Sequence, residues 1–164
     1  MLRGLIVVAA GCLAAAVAGA QERTRMPASG AAPTPAQVSV ADFKRFHWII
    51  GRWSGSGTGR LAQTRPFFEE YTLRDDSTIV MKSYGDVSFA GTVNETHELS
   101  VRDGVMRSGT SIATLFAGDS VQFMSARGGG RPYVFARRTP DRWEAVFGGA
   151  EPTPGTYVMT RVPR

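Results

Sequence analysis

Few residues in this chain have the type and spacing for acid–base, metal or covalent chemistry. Glu69 and Glu70 are adjacent in Phe67-Phe68-Glu69-Glu70-Tyr71, which has the composition of a strand. Neighbours on a strand face opposite sides, so the two carboxylates cannot work as one acid–base pair. One is expected to point inward and pair with an arginine such as Arg137, because an unpaired buried carboxylate is costly. The other is expected to be solvated. His47 and His97 are the only histidines, which excludes a site of three or more His ligands, and no metal site is expected. Glu95, His97 and Leu99 share one strand face. His97 is therefore either a half-exposed strand residue or a proton donor or ligand in a pocket.

Other catalytic patterns are missing from the sequence. Gly55-Ser56-Gly57 lies in a strand pattern with the wrong flanks for a nucleophile elbow. Gly128-Gly129-Gly130 is a turn rather than a phosphate loop, since no Gly-Lys-Ser/Thr follows. The lone Cys12 excludes an intrachain disulfide framework and any multi-cysteine metal centre. Serine hydrolase, thiol enzyme and nucleotide-binding functions all weaken on these grounds, and no catalytic machinery is evident.

The elements that must position these residues are strands. The chain has 164 residues, 43% hydrophobic and 20% charged, as expected of one globular domain plus a tail. From Gly51 onward the pattern has period two: Ile79, Met81 and Ser83; Val121, Phe123 and Ser125; Tyr133, Phe135 and Arg137; Trp143, Ala145 and Phe147; Tyr157, Met159 and Arg161. Turn-forming runs such as Arg102-Asp103-Gly104 and Thr139-Pro140-Asp141 separate them. Consecutive hairpins without a long crossover predict an all-β, up-and-down antiparallel barrel of about 8–10 strands, since closure leaves no exposed edge. Ahead of it, Ser39 is a plausible N-cap for a short helix over Val40 to His47, with Asp42 in its first turn. Phe43 and Phe46 would share one face of this lid or plug.

Residues 1–20 read as a signal peptide: a basic start with Arg3, an apolar run from Leu5 to Val17, and Ala18-Gly19-Ala20 before a polar segment. Residues 21–37, with Pro27, Pro33 and Pro35, read as a disordered linker, leaving 38–164 for the barrel. The expected localisation is periplasmic or secreted. Ala9-Ala10-Gly11-Cys12 also resembles a lipobox, which would instead tether the protein to a membrane through a lipidated Cys12. Arginine dominates the basic residues, 17 Arg to 2 Lys, and the net charge is +5. Arg127, Arg131, Arg137, Arg138 and Arg142 form a solvated rim suited to anionic ligands or headgroups, and no nucleic-acid partner is expected.

The most informative stretch is Gly51-Arg52-Trp53-Ser54-Gly55-Ser56-Gly57-Thr58-Gly59. Its four glycines and Trp53 project to one face. Either they supply the curvature of a small barrel, or they let another segment or a ligand approach the backbone. With the preceding Trp48-Ile49-Ile50 and the following Pro66-Phe67-Phe68-Glu69-Glu70-Tyr71, it resembles the opening of nitrobindin-like proteins, fatty-acid-binding-protein-like barrels of the calycin group. The Gly-x-Trp element is shared with lipocalins. The likeness is confined to residues 46–71. It implies a barrel of about ten strands around a cavity, which in nitrobindins holds haem on a C-terminal histidine and is linked to nitric oxide and peroxynitrite chemistry. The last strand here has no histidine, so a divergent member without haem is expected. In lipocalin-type barrels a basic residue of the last strand covers the Gly-x-Trp indole. Arg161 stands in that place, and Trp53 with Arg161 is the expected closing pair.

These observations lead to an exported barrel that binds a small apolar or amphipathic molecule. Trp53, Phe68 or Tyr71, Met81, Phe123, Tyr133, Phe135, Arg137 and Trp143 are the expected ligand-contacting residues. No cofactor is expected. The alternatives are a haem-dependent or cavity-based isomerase, and a packed structural barrel of the cell envelope.

Overall fold

The period-two pattern becomes ten strands, joined in chain order. The computed structural model describes residues 31–148 and 154–163; the expected signal segment and most of the expected linker lie outside them. The strands are β1 (Gly51–Thr58), β2 (Phe67–Asp75), β3 (Thr78–Tyr84), β4 (Val93–Arg102), β5 (Val105–Ser108), β6 (Ser111–Phe116), β7 (Ser120–Ser125), β8 (Tyr133–Thr139), β9 (Arg142–Phe147) and β10 (Gly155–Val162). Each pairs antiparallel with its sequence neighbours, and β10 returns to β1 to close the barrel. The closing seam runs from Arg52 opposite Val162 to Thr58 opposite Thr156.

One end of the barrel is plugged. Helix α1 (Val40–Arg45) starts with a capping box: the Asp42 N–H donates to Ser39 Oγ at 3.0 Å, and the Ser39 N–H donates to the Asp42 carboxylate at 3.1 Å. The helix stops two residues short of the expected His47, and a 3₁₀ turn follows over His47–Ile49. The carbonyls beyond α1 are claimed by the barrel. Trp53 Nε1–H donates to the Ile49 carbonyl at 2.6 Å, and Arg161 donates to the carbonyls of Trp48 and Ile50, each at 3.1 Å. Phe43, Phe46 and Ile49 are fully buried against Trp53 and Trp143 in one core. Burial of such side chains contributes about 1.5–3 kcal/mol each, far more than helix propensity gives six residues. Gln37 bridges Val105 and the Ala36 N–H donates to the Ala113 carbonyl, so the chain joins the barrel just ahead of Val38.

The glycines of β1 make room for this protein's own segments. A Cβ on Gly55 would collide with the Phe67 ring, and one on Gly57 with the Leu61 backbone. The strand ends at Thr58. Gly59, expected to continue it, instead adopts a positive φ of 61° and opens a 3₁₀ turn, Gly59–Leu61, that folds back over Gly57. Gly51, Gly55 and Gly57 therefore belong to the strand, and the fourth glycine belongs to the turn.

Candidate functional site

Away from the plug, the barrel is hollow. A cavity of about 280 Å³ lies inside it, lined by side chains from β2, β3, β4, β5, β8, β9 and β10. The volume falls just below the range that takes drug-sized ligands, about 300–1,000 Å³, and suits a smaller molecule. Closure explains which faces meet there. Tyr71 opposes Met81, Met81 opposes His97, Tyr133 opposes Phe147, and Met159 opposes Trp143, so rows of inward side chains run round the barrel.

The lining has two unlike walls. Strands β8, β9 and β10 supply Tyr133, Phe135, Trp143, Phe147, Tyr157 and Met159. Their rings pack closely: Phe135 tilted on Trp143 at 5.1 Å, Tyr133 stacked on Phe147 at 5.6 Å, and Phe147 edge to face on Tyr157 at 5.6 Å. Phe67 extends this wall across the seam, 4.9 Å from Tyr157. Opposite stand Glu69 and Tyr71 on β2, Glu95 and His97 on β4, and Ser108 on β5. Tyr71 Oη–H donates to Glu69 Oε2 at 2.7 Å, and His97 Nε2 is 2.9 Å from Ser108 Oγ. Glu69 and Glu95 flank Ser83 in one cross-strand row. Only Leu99–Arg102 of β4 pair with β5, so the half of β4 that carries Glu95 and His97 has a strand partner on one side only.

Burial sets the protonation of this wall. Burial pushes the Glu69 carboxyl up to about 7; the Tyr71 hydrogen bond opposes the rise and the nearby Glu95 charge adds to it. The Tyr71 phenol is pushed up, first by burial and then by the Glu69 charge. Tyr133 is also raised by burial, against hydrogen bonds with Ser108 and Ser111. Trp143 is buried, and its indole N–H has no hydrogen-bond partner among the described residues.

Of the residues singled out from the sequence, Tyr71, Met81, Tyr133, Phe135 and Trp143 line the cavity together. Trp53 and Phe123 are buried in the core behind it. Of the pair Phe68 and Tyr71, the barrel turns Tyr71 inward. Phe68 lies on the opposite face of β2, where Phe89 packs 6.1 Å from its ring. Phe89 has a positive φ of 55° and is buried against Phe68, Tyr84 and Arg52. Arg137 sits at the plugged end, 3.8 Å from Asp119. It therefore does not meet Glu69, and no inward ion pair of Glu69 with an arginine forms among the described residues. The outward Glu70 takes the ion pair instead, with Arg52 at 2.8 Å. The Arg161 guanidinium lies over the Trp53 ring. The sequence did not single out Phe67, Glu95, Phe147, Tyr157 or Ser108 for the cavity. Parity alone could have found Phe147, two residues beyond Ala145, and Tyr157, two before Met159. Among the described residues no group of three or more His, Cys, Asp or Glu side chains gathers to hold a metal.

Ten antiparallel strands in up-and-down order define a closed β-barrel. No protein-family model matches the chain, and no curated protein matches it. Among solved structures it is similar to a variant of the fluorescent protein UnaG, with 12% identity and a TM-score of 0.48, over 73% of this chain and 99% of that one. It is similar to a protein of unknown function from the DUF3598 family of Nostoc punctiforme, with 10% identity and a TM-score of 0.47, over 79% of this chain and 51% of that one. A redesigned β-barrel bound to DFHBI matches with 13% identity and a TM-score of 0.37, over 75% of this chain and all of the other.

Proposed function

We propose that the protein is a binding module that holds a small, mostly apolar molecule inside the barrel. The observation that carries this is the cavity of about 280 Å³ with an aromatic wall facing a few convergent polar groups. A packed structural barrel would have filled that space with side chains. Supporting an exported, divergent nitrobindin-like protein are the signal-like residues 1–20 and the resemblance over residues 46–71. Lipidation at Cys12 is the alternative route to the envelope. Haem suits the lining poorly. The cavity is small, His97 is engaged with Ser108, and Glu69 and Glu95 would repel the carboxylates that haem carries. Native mass spectrometry of protein purified from its own host tests the binding function. A retained small-molecule mass, lost on adding a competing apolar dye, is expected. No retained mass together with no dye binding overturns it.

One observation favours a second, catalytic function. A carboxyl with a pKa of about 7, hydrogen-bonded to a buried tyrosine in an apolar cavity, suits a general base at neutral pH. It would move a proton within a bound ligand, as in a cofactor-free isomerase. Deuterium uptake by small aromatic ketones in D₂O, present in the native protein and lost in Glu69→Gln, is the outcome that reading requires. No uptake above background overturns it.

A further inference from the structure

We propose that the cavity selects small organic cations, an apolar or aromatic body bearing a protonated amine or amidinium, over neutral and anionic molecules of the same shape. The inference deepens the binding function above and rests on it. The protein as a whole is basic, yet among the described residues no lysine or arginine lines the cavity, while Glu69 and Glu95 do.

Elsewhere on the barrel, acids on the strands find arginine partners: Glu70 with Arg52, Glu98 with Arg74, Glu144 with Arg138 and Arg142. Arginine is plentiful, so its absence here is a matter of position. Glu69 accepts one hydrogen bond, from Tyr71, and has no cationic partner among the described residues. A half-satisfied carboxylate inside an apolar cavity is stabilised by an incoming positive charge and destabilised by a negative one. The opposite wall adds to this preference, because Phe67, Tyr133, Phe135, Trp143, Phe147 and Tyr157 carry ring faces that attract cations. A protonated amine reaching Glu69 would replace the missing ion pair, and its hydrocarbon body would cover the rings.

The preference is pH-dependent in one direction. The titratable groups that share the cavity with Glu69 are Tyr71 on its own strand, Glu95 and His97 on β4, Tyr133 on β8 and Tyr157 on β10; β1 and β3 bring Trp53 and Ser83, which carry no charge. As pH rises through about 7, Glu69 loses its proton and attracts a cation more strongly.

Isothermal titration calorimetry with three probes of one shape tests this: 1-naphthylmethylamine, 1-naphthalenemethanol and 1-naphthoate, each at pH 6 and pH 8. At pH 8 the amine is expected to bind about tenfold or more tightly than the alcohol, with naphthoate the weakest, as charge-assisted hydrogen bonds outweigh neutral ones. The amine gains affinity from pH 6 to pH 8 and the alcohol does not. Glu69→Gln removes about tenfold of the amine's affinity and leaves the alcohol within about twofold. Glu95→Gln, further from the closed interior, gives a smaller loss in the same direction and covers the case in which Glu69→Gln fails to fold. Alcohol or naphthoate binding as tightly as the amine overturns the cation preference while leaving the binding function standing. Binding of none of the three, at either pH, overturns both.

Discussion

The guanidinium of Arg161 lies 4.2 Å from the centre of the Trp53 ring, so the last strand of the barrel is clasped to the first. The same side chain donates to three carbonyls, those of Trp48, Ile50 and Pro140, and faces Asp141 at 3.3 Å. One arginine thus ties β10, β1, the 3₁₀ turn ahead of β1 and the β8–β9 turn together. Gly51 makes the arrangement possible. It holds a φ of 135°, and any Cβ there would meet the guanidinium.

Arg161→Met is therefore expected to lower the unfolding free energy by about 2–3 kcal/mol, from the lost ring contact and the carbonyls left without a donor. Arg161→Lys recovers less than half, because an ammonium cannot reproduce a planar fork serving several acceptors. Urea unfolding monitored by tryptophan fluorescence reads this as a lower midpoint at unchanged slope.

Gly55 tests whether the strand glycines serve packing within the chain. Gly55→Ala places a Cβ inside the Phe67 ring position and is expected to cost about 1–3 kcal/mol. The double variant Gly55→Ala with Phe67→Ala should be more stable than the sum of the single losses implies. A double-mutant cycle by chemical denaturation measures that coupling, and strict additivity contradicts the contact.

The capping box at Ser39 holds the plug in place. Ser39→Ala is expected to cost about 1 kcal/mol, since it leaves the Asp42 N–H without its acceptor. Ser39→Asp should restore most of the loss. Thermal melts by circular dichroism decide between the two variants.

Glu69 gives the stability of the protein a distinctive pH dependence. Its folded-state pKa of about 7 lies above the ordinary 4.5, so the folded state holds a proton that the unfolded state has released. The stabilisation of the protonated form is fully present below the ordinary carboxyl pKa and is lost as pH rises through about 7. Between pH 5 and pH 8 the native protein should lose on the order of 2 kcal/mol from this group, and Glu69→Gln should flatten that slope. Denaturation midpoints at the two pH values check the sign, and a native protein that gains stability over this interval contradicts it.

Much of this is legible along the chain. Period-two alternation marks residues that share a face, and turn residues mark where strands reverse, because both follow from local geometry. Spacing alone groups Tyr133 with Phe135, Trp143 with Ala145, and Tyr157 with Met159. The capping serine, the short helix and the Gly-x-Trp opening are visible for the same reason, since each depends on a few adjacent residues.

Which face became the interior was decided only by closure. Parity leaves Glu69 and Glu70 equivalent, and equally Phe68 and Tyr71. The register of β1 against β2 and β10 turned Glu69 and Tyr71 inward and gave Glu70 to Arg52. Arg137 shares its strand face with Phe135, but strand position carries it to the plugged end and Asp119, away from Glu69. The opposition of an aromatic wall on β8–β10 to carboxylates on β2 and β4 joins segments tens of residues apart. The sequence by itself determined the strands, which residues share a strand face, and the plug, because those are properties of neighbours. The tertiary structure alone decided that two acids share a cavity with no cation among the described residues, because that depends on which distant side chains the closed barrel brings to the same place.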